Sequence, residues 1–353
     1  MIELLNNLSS SWAIYMLQNS LQMFLYFLLV VAVAMLSRRQ SATFKYWLWF
    51  SVFVVALIPP LITLPVNVPA LPTLPDEPIL AHLQEFTPQQ QGKFSQQLET
   101  TPHISWLGII FLGWLAVVGA MMLSAVIRTR SFYQQIRSDR YPVAMTLLQR
   151  CNLPVVTPVF WSSAANTPVT IGFFRPAIIL PEEMQGWDHG EITAVLWHEY
   201  AHVRRRDNLL LIVQQLAHAV FFFHPLIWVS RHFCSLYQEQ ACDNLALLSS
   251  DISPYNISRS LIRVMKQQRS PFQPMMSSGF LTSWTIRARV NSLYSKGENR
   301  MIRLKITQKI LMISITISGI LFSCASTSDG PNTAIYYAPN VIITEEVDRT
   351  AQI

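Results

Sequence analysis

The amino-acid sequence predicts a mainly α-helical membrane protein in which about four transmembrane helices carry one α+β domain. The first observation is composition: of 353 residues, 51% are hydrophobic and only 13% are charged, about half the charged fraction of an ordinary soluble domain. The second is distribution, because the apolar residues gather in four long runs. A chain of this kind exposes much of its surface to lipid.

The four apolar runs are the predicted spans. Residues 12–36 form the first, and the lack of a preceding basic segment and of a small-residue cleavage site argues against a removed signal peptide. Residues 46–64 form the second, which contains a Pro-Pro pair that favours a kink or an early exit from the bilayer. Residues 104–127 contain no charged residue and form the clearest span, and 310–325 form a shorter fourth.

The placement of basic residues predicts the orientation. Within 1–64, the turn between the first two helices contains Arg38, Arg39 and Lys45, so this turn is expected in the cytoplasm and the N-terminus outside. The net charge of +6 comes largely from residues beside apolar runs, which fits an anionic inner leaflet and predicts no direct nucleic-acid partner. The expected location is a bacterial cytoplasmic membrane, crossed several times.

The remaining segments alternate in charge as this orientation requires. The Pro/Gln-rich stretch 65–103 has four acidic residues against one lysine and is expected outside as a poorly folded loop. Residues 128–309, which include a basic stretch from 259 onwards, are expected in the cytoplasm. The acidic tail 326–353 is expected outside again, after the fourth helix.

The long cytoplasmic segment is predicted to be the α+β domain. Its β-rich stretches 155–161, 168–174 and 177–180 are bounded by Pro, Asn and Gly, which indicates short strands. A helix follows, for which Asp188 is the predicted N-cap and Glu191 the capping-box partner.

That helix contains the most informative motif of the chain, His198-Glu199-Tyr200-Ala201-His202. At spacing i, i+4 the two imidazoles leave the same helix face and can bind one divalent ion. Glu199 lies next to the first of them, where it can act as general base on a water molecule. An ordinary helix surface can also carry this pattern, so the interpretation depends on a third ligand.

Glu239 is the predicted third ligand, because catalytic zinc takes three protein ligands and keeps one position for water. It lies on a helix expected to run from about 225 to 248, and Asp243 follows one turn later on the same face as an outer carboxylate for a zinc histidine. Cys242 is an alternative soft ligand. Asp207 is either a further outer-shell carboxylate, the cap of the next helix or a partner of the arginines beside it.

The apolar segment 207–230 is ambiguous. A span there would reverse the side of all that follows, and the 36 residues between His202 and Glu239 are too few for two spans of about 20 residues and a turn. We therefore expect a buried or membrane-abutting helix of the domain, broken at His224-Pro225. The oxyanion-stabilising group is left open among four residues: Arg206, His218, His224 and Tyr237.

Together these motifs resemble the integral-membrane zinc peptidases of gluzincin type that are typified by the Bla-regulator and Mec-regulator antirepressors. The resemblance extends over residues 12–325 and is carried first by His198-Glu199-x-x-His202 and Glu239-x-x-Cys242-Asp243. Further matching elements are Gly172-x-x-x-Pro176, Ile179-Leu180-Pro181, Arg205-x-Asp207, His224-Pro225-Leu226 and Ile286-Arg287-Ala288-Arg289-Val290.

The resemblance implies a cytoplasmic-facing, gluzincin-like peptidase domain with Zn²⁺ as cofactor and a cytoplasmic protein, such as a transcriptional repressor, as substrate. Substrate is expected to add as a strand beside 168–180. In the antirepressors a penicillin-binding sensor domain follows the last span. Here 28 residues without a Ser-x-x-Lys motif follow Ala325, so we expect that this sensor is lacking and that the tail, through 340–344, meets a separate extracytoplasmic sensor partner.

Two other functions compete with the enzyme. A non-catalytic signalling membrane protein would use the metal only structurally, and it would need the ligands but not Glu199. A transporter would need charged or broken helices in mid-membrane, for which only the Pro-Pro pair speaks. Cys151, Cys234 and Cys242 show no CxxC pair and are expected to be reduced thiols.

Overall fold

The protein is described by a computed structural model that covers residues 1–58, 62–65, 104–154, 157–250, 252–267, 283–295 and 304–325. Over these residues it is mostly helical with a small sheet. The predicted outer loop 65–103, apart from Pro65, and the predicted tail 326–353 lie outside the described residues. So do the Pro-Pro pair and most of the basic stretch between 268 and 303.

Ten α-helices and six strands follow one another along the described residues. In chain order they are α1 (Ile2–Leu36), α2 (Ala42–Leu57), β1 (Ile62–Pro65), α3 (Trp106–Asp139), β2 (Tyr141–Pro142), α4 (Met145–Arg150), β3 (Val159–Ser162), β4 (Val169–Ile171), β5 (Ala177–Pro181), α5 (His189–Arg205), α6 (Asp207–Val220), α7 (Pro225–Ser249), α8 (Pro254–Gln267), α9 (Ser283–Tyr294), α10 (Ile306–Leu321) and β6 (Phe322–Ala325).

Two helices, α1 and α3, are long and apolar enough to cross a membrane, and α2 and α10 are shorter apolar helices. These four correspond to the predicted spans, although their ends differ from the prediction. Helix α1 begins at Ile2 rather than at residue 12, and α3 continues to Asp139 rather than ending at residue 127. Helices α2 and α10 end early, at Leu57 and Leu321, and are followed by β1 and β6, which pair in parallel.

Helix α2 lies at the centre of the apolar helices and is buried on nearly every face. One hydrophobic core joins it to α1, α6, α7 and α10. It runs antiparallel to α7: the Lys45 ammonium lies 5.5 Å from the Tyr237 ring centre, and one turn further along, Trp49 stacks on Phe233 at 4.6 Å. Helix α7 therefore belongs both to the apolar bundle and to the domain that follows.

The α+β domain contains a four-stranded sheet in the order β2-β3-β5-β4. Strands β3 and β5 are parallel, and the two outer pairs are antiparallel. The sequence predicted all three longer strands, and the structure makes two of them shorter than predicted. Strand β5 is buried along its whole length between its neighbours, whereas β4 is at an edge and lies beside α5. A second hydrophobic core fills the space between the sheet and α5.

The N-terminus of α5 confirms the predicted capping box. The Asp188 side chain accepts a hydrogen bond from the Gly190 backbone N–H at 3.0 Å, and the Glu191 carboxylate accepts one from the Asp188 N–H at 3.3 Å. Arg259 and Arg263 of α8 also form ion pairs with the fully buried Glu191. These contacts fix the start of the helix that carries both histidines.

The ambiguous segment 207–230 forms α6, a tight turn and the first residues of α7. The predicted break at His224-Pro225 is confirmed, since His224 is the N-cap of α7 and Pro225 its first residue. Helix α6 ends earlier, at Val220. The residue before it, Arg206, has a left-handed backbone with φ of 57°, which separates α5 from α6 without a loop.

Candidate metal centre

Helices α5 and α7 bring the three predicted ligands together. The Nε2 atoms of His198 and His202 lie 3.3 Å apart on one face of α5. From α7, the Glu239 carboxylate places one oxygen 3.3 Å from His198 Nε2 and the other 3.8 Å from His202 Nε2. These three residues form a group whose ligand atoms are close enough to share one cation.

The spacing of these atoms fits a tetrahedral ion. Bonds of about 2.1 Å at tetrahedral angles place two ligand atoms about 3.4 Å apart, close to the measured separations of 3.3, 3.3 and 3.8 Å. Two imidazole nitrogens and one carboxylate are also a frequent donor set of catalytic zinc. The residues present therefore fit a zinc ion with one coordination position left over.

The opposite nitrogen of each histidine faces a buried carboxylate. His198 Nδ1 lies 2.9 Å from Asp243 Oδ1, and His202 Nδ1 lies 2.8 Å from Asp207 Oδ2. Both carboxylates are at most 2% exposed. A carboxylate in this position fixes the orientation of the ring and makes the facing nitrogen a stronger donor to a metal.

Asp207 joins the centre to α2. Its carboxylate accepts a hydrogen bond from Arg205 Nε at 3.2 Å, so it contacts both the predicted histidine and a predicted arginine. The Arg205 guanidinium in turn lies over the Tyr46 ring at 4.7 Å. A chain of direct contacts therefore runs from the first turn of α2 through Arg205 and Asp207 to His202.

Cys242 lies on the far side of His202 from the three-ligand group. Its Sγ atom is 3.5 Å from His202 Nδ1 and 3.6 Å from Asp207 Oδ2. Burial, reinforced by the nearby Asp207 charge, raises the pKa of this thiol well above its usual value, which disfavours the thiolate that a metal requires. Cys151, Cys234 and Cys242 are all free, as predicted.

Arg289 is a site residue for which we predicted no role. It comes from α9 and is only 2% exposed. Its guanidinium forms two hydrogen bonds to Asp243, at 2.9 and 2.8 Å, and lies 3.0 Å from Glu239 Oε2. One cation thus contacts two carboxylates of α7, the buried Asp243 and the half-buried Glu239. The sequence did contain a hint of this contact, namely two acidic residues one turn apart on α7. Carboxylates that are largely removed from water need a positively charged partner.

Neighbouring charges shift the pKa values of His198 and Glu239 in opposite directions. Burial alone lowers the pKa of His198, but Asp243 and Glu239 outweigh this effect and raise the pKa to about 10. For Glu239, burial alone raises the pKa, whereas Arg289 and the histidines hold it well below the usual range. The same carboxylates that favour the protonated form of His198 also favour a bound cation, so a metal ion competes with this proton.

Glu199 lies outside the group of three ligands. It is 7% exposed, and the Thr170 hydroxyl donates to its Oε2 at 2.9 Å and contacts its backbone carbonyl at 3.1 Å. Thr170 lies on the edge strand β4 and is a second contact that the sequence did not predict. No local pattern indicates it, since 29 residues separate the two side chains along the chain.

A cavity of about 290 Å³ opens beside the centre. Its walls include Thr170 and His202, together with Phe173 and Phe174 from the turn after β4. At its edge the Asn208 amide donates to the backbone carbonyls of Thr170 and Gly172, at 3.1 and 2.9 Å. The turn depends on glycine at position 172, where φ is +92° and a Cβ would lie 2.5 Å from a backbone oxygen.

The four oxyanion candidates are placed very differently. His224 caps the far end of α7, 15 residues from Glu239, and the buried His218 packs against Trp228 at 4.5 Å. Neither lies at the centre. Tyr237 contacts Lys45, whereas Arg206 is exposed and lines the same cavity as His202.

The centre has the residues of a metallopeptidase: two histidines and a glutamate as ligands, and a second glutamate beside them. It is attached to long apolar helices, as expected for a peptidase associated with a membrane. The family model described as BlaR1 peptidase M56 matches residues 14–293, which is 280 of the 353 residues. The chain belongs to this family. The resemblance noted in the sequence is thereby confirmed at the level of the family.

Individual relatives match over shorter segments. The regulatory protein BlaR1 of Bacillus licheniformis is 33% identical over 90 residues, which cover 26% of this chain and 15% of the relative. The methicillin resistance mecR1 protein of Staphylococcus aureus (strain Mu50 / ATCC 700699) is 23% identical over 123 residues, covering 35% and 21%. The chain thus spans about a fifth or less of the length of these relatives.

Replacing Asp207 by asparagine is expected to weaken zinc binding about 10- to 100-fold, because a neutral amide polarises the His202 ring much less than a carboxylate does. Competition with a fluorescent chelator on the purified, metal-free protein measures this affinity. Asp188→Asn is the matched control: asparagine caps a helix as well as aspartate, and this residue is remote from the centre. An affinity of Asp207→Asn equal to that of the control would contradict the assigned role.

Proposed function

We propose that the protein is a zinc-dependent endopeptidase of the bacterial cytoplasmic membrane that cleaves a cytoplasmic protein, such as a transcriptional repressor, in regulatory signalling. In this proposal four transmembrane helices carry a gluzincin-like centre on the cytoplasmic side. The observation that carries it is the convergence of His198, His202 and Glu239 at tetrahedral spacing, with Glu199 held next to them but outside the group.

The chain's own residues have distinct roles in this reaction. His198, His202 and Glu239 would hold the zinc ion, which when bound supplies Lewis acidity toward water and the peptide carbonyl. Glu199 accepts the proton of the attacking water and passes it to the amine nitrogen that leaves. Thr170 holds the Glu199 carboxylate in place through its hydroxyl hydrogen bond.

The cavity beside β4 is the proposed position of the substrate. An extended peptide that adds along β4 would lie next to both Thr170 and His202. The Asn208 amide occupies two backbone carbonyls there, so its side chain must turn away if an added strand is to use them. Arg206, exposed at the wall of the cavity, is the best placed of the four oxyanion candidates.

Regulation is supported by the family and by the position of α2. The matched relatives are described as a regulatory protein and as methicillin resistance proteins. In this chain, the first turn of α2 follows the basic turn that we assign to the cytoplasm, and it contacts Arg205 directly through Tyr46. A signal received outside would thus reach the centre through a helix that contacts it, with a separate extracytoplasmic partner as the proposed sensor.

Metal removal and restoration test the proposal. The full chain in vesicles is incubated with the cytoplasmic proteins of its host, and fragments are identified by mass spectrometry before chelation, after chelation and after addition of zinc. Specific cleavage is expected to fall at least about 100-fold on chelation and to return with zinc. Cleavage that continues without metal would contradict the peptidase. Retention of zinc without any cleavage would instead support the signalling protein with a structural metal site.

A further inference from the structure

Helix α6 buries polar side chains and exposes apolar ones, although Ala217 and Ala219 are buried as well. Gln214 and His218 are only 3% and 5% exposed, whereas Ile212 and Leu216 are 43% and 44% exposed. A helix on the surface of a water-soluble domain shows the opposite arrangement. A helix surrounded by lipid shows this one, because its polar groups turn toward the interior of the bundle.

The interior that receives these polar groups lies between the apolar helices. Ser230 of α7 is fully buried, as is Asn19 of α1, and Gln22 of α1 is 2% exposed. The Asn19 amide donates to the Ala56 carbonyl at 3.0 Å. Helices α1, α6 and α7 thus all bury polar residues inside a bundle whose exterior is apolar. We infer that the same environment surrounds all three helices.

The contact with α3 gives the depth of the α6–α7 turn. Trp114 Nε1 donates to the carbonyl of Val220, the last residue of α6, at 2.9 Å. Trp114 lies 14 residues before Arg128, the first charged residue after the predicted third span. At 1.5 Å per residue, Val220 is therefore about 21 Å from the end of that span.

The contact with α2 gives the same depth independently. Tyr237 is level with Lys45 at the start of α2, and Phe233 is level with Trp49 one turn along. Pro225, the first residue of α7, lies 12 residues beyond Tyr237, or about 18 Å. Both estimates place the turn well over half way through an apolar layer of about 30 Å.

The turn itself is suited to lipid. Residues 208–230 contain no charged side chain, and at the tip Phe223, Trp228 and Val229 are 49%, 54% and 39% exposed. Arg231 follows at about 9 Å from the level of Tyr237, where its long side chain can extend toward the polar boundary. Two indole N–H groups donate to backbone carbonyls at the turn, Trp114 to Val220 and Trp228 to Phe222, at 2.9 and 2.8 Å.

We propose that residues 207–231 form a re-entrant hairpin that enters the bilayer from the side of the metal centre and is surrounded by lipid acyl chains. This inference rests on the membrane arrangement put forward under the proposed function. Asp207 at the start of α6 and Glu239 on α7 lie where the hairpin emerges, so the metal centre is held at the membrane surface. The scissile bond of a substrate must then be presented there.

Photo-crosslinking to acyl chains tests the depth. Benzoylphenylalanine is introduced into the full chain at Phe223 or Leu216, with Leu115 of α3 as the lipid-facing control and Tyr141 of β2 as the control outside; both controls are exposed, at 44% and 38%. The vesicles contain phosphatidylethanolamine, phosphatidylglycerol and a trace of phosphatidylcholine with an alkyne at the acyl terminus. Adducts at 223 and 216 are expected at about the level of 115 and about tenfold or more above 141.

The possible outcomes separate the two proposals. Adducts at 223 or 216 as rare as at 141, with abundant adducts at 115, would overturn the re-entrant hairpin and leave the other spans intact. Rare adducts at 115 as well would overturn the membrane arrangement itself, and the hairpin with it. Zinc affinity of each labelled variant confirms folding, and zinc-dependent cleavage is measured separately, so the peptidase stands or falls on its own test.

Discussion

Replacing Glu199 by glutamine is expected to lower the rate of peptide cleavage about 10³-fold, within the range of 10² to 10⁴ that a general acid–base residue contributes. The reason is chemical, since an amide cannot accept the proton of the attacking water. Zinc affinity is expected to change little, because Glu199 lies outside the group formed by His198, His202 and Glu239. The glutamine oxygen can still accept the Thr170 hydrogen bond, so the local packing is retained.

The measurement pairs the cleavage rate with the metal content of the same membrane preparation. Glu183→Gln is the matched control, since Glu183 is an exposed glutamate outside the centre, and we expect both its rate and its zinc content to equal those of the unsubstituted protein. A Glu199→Gln variant that cleaves as fast as this control would remove Glu199 from the reaction. Loss of zinc together with activity would indicate that Glu199 is a ligand instead.

Replacing Arg289 by methionine is expected to destabilise the metal-free protein by about 3–5 kcal/mol, the cost of removing one partner from a buried ion pair. Arg289 is the cation that two α7 carboxylates share: it forms two hydrogen bonds to Asp243 and lies 3.0 Å from Glu239. Methionine fills similar space but supplies no charge. Zinc is expected to restore part of the lost stability, because a divalent cation then lies beside Glu239.

Unfolding by sodium dodecyl sulfate in mixed micelles, with and without zinc, measures this effect. Arg287→Met provides the comparison on the same helix, since Arg287 is exposed and a surface substitution of this kind changes the free energy of unfolding by about 0.5 kcal/mol or less. Equal stability of the two variants would show that Arg289 does not balance the buried carboxylates.

The ligand group was predictable because helical periodicity alone determines most of it. Spacing of i, i+4 places His198 with His202, and Glu239 with Asp243, on common faces whatever the rest of the fold. Only one tertiary fact was needed, the packing of α5 against α7. The choice of Glu239 as third zinc ligand assumed that packing, and the structure brings the two helices together.

Thr170 and Arg289 could not be predicted in the same way. Each reaches the centre from an element distant in sequence, a sheet edge for Thr170 and α9 for Arg289. No periodicity links such elements, so the contact exists only once the chain has folded. The ends of the apolar helices were missed for a related reason. Hydropathy marks where a helix can lie in lipid, whereas α3 continues past Arg128 because polar residues also favour a helix outside it.

The stacking of Arg205 on Tyr46 has a thermodynamic consequence. Any displacement of α2 that changes the affinity of the centre for its metal or its substrate does so through a coupling free energy. By linkage, the same free energy acts in the opposite direction. Occupation of the centre must therefore bias the position of α2 by an equal amount, and a ligand added at the centre becomes measurable as a shift in equilibrium at the other end of this apolar helix.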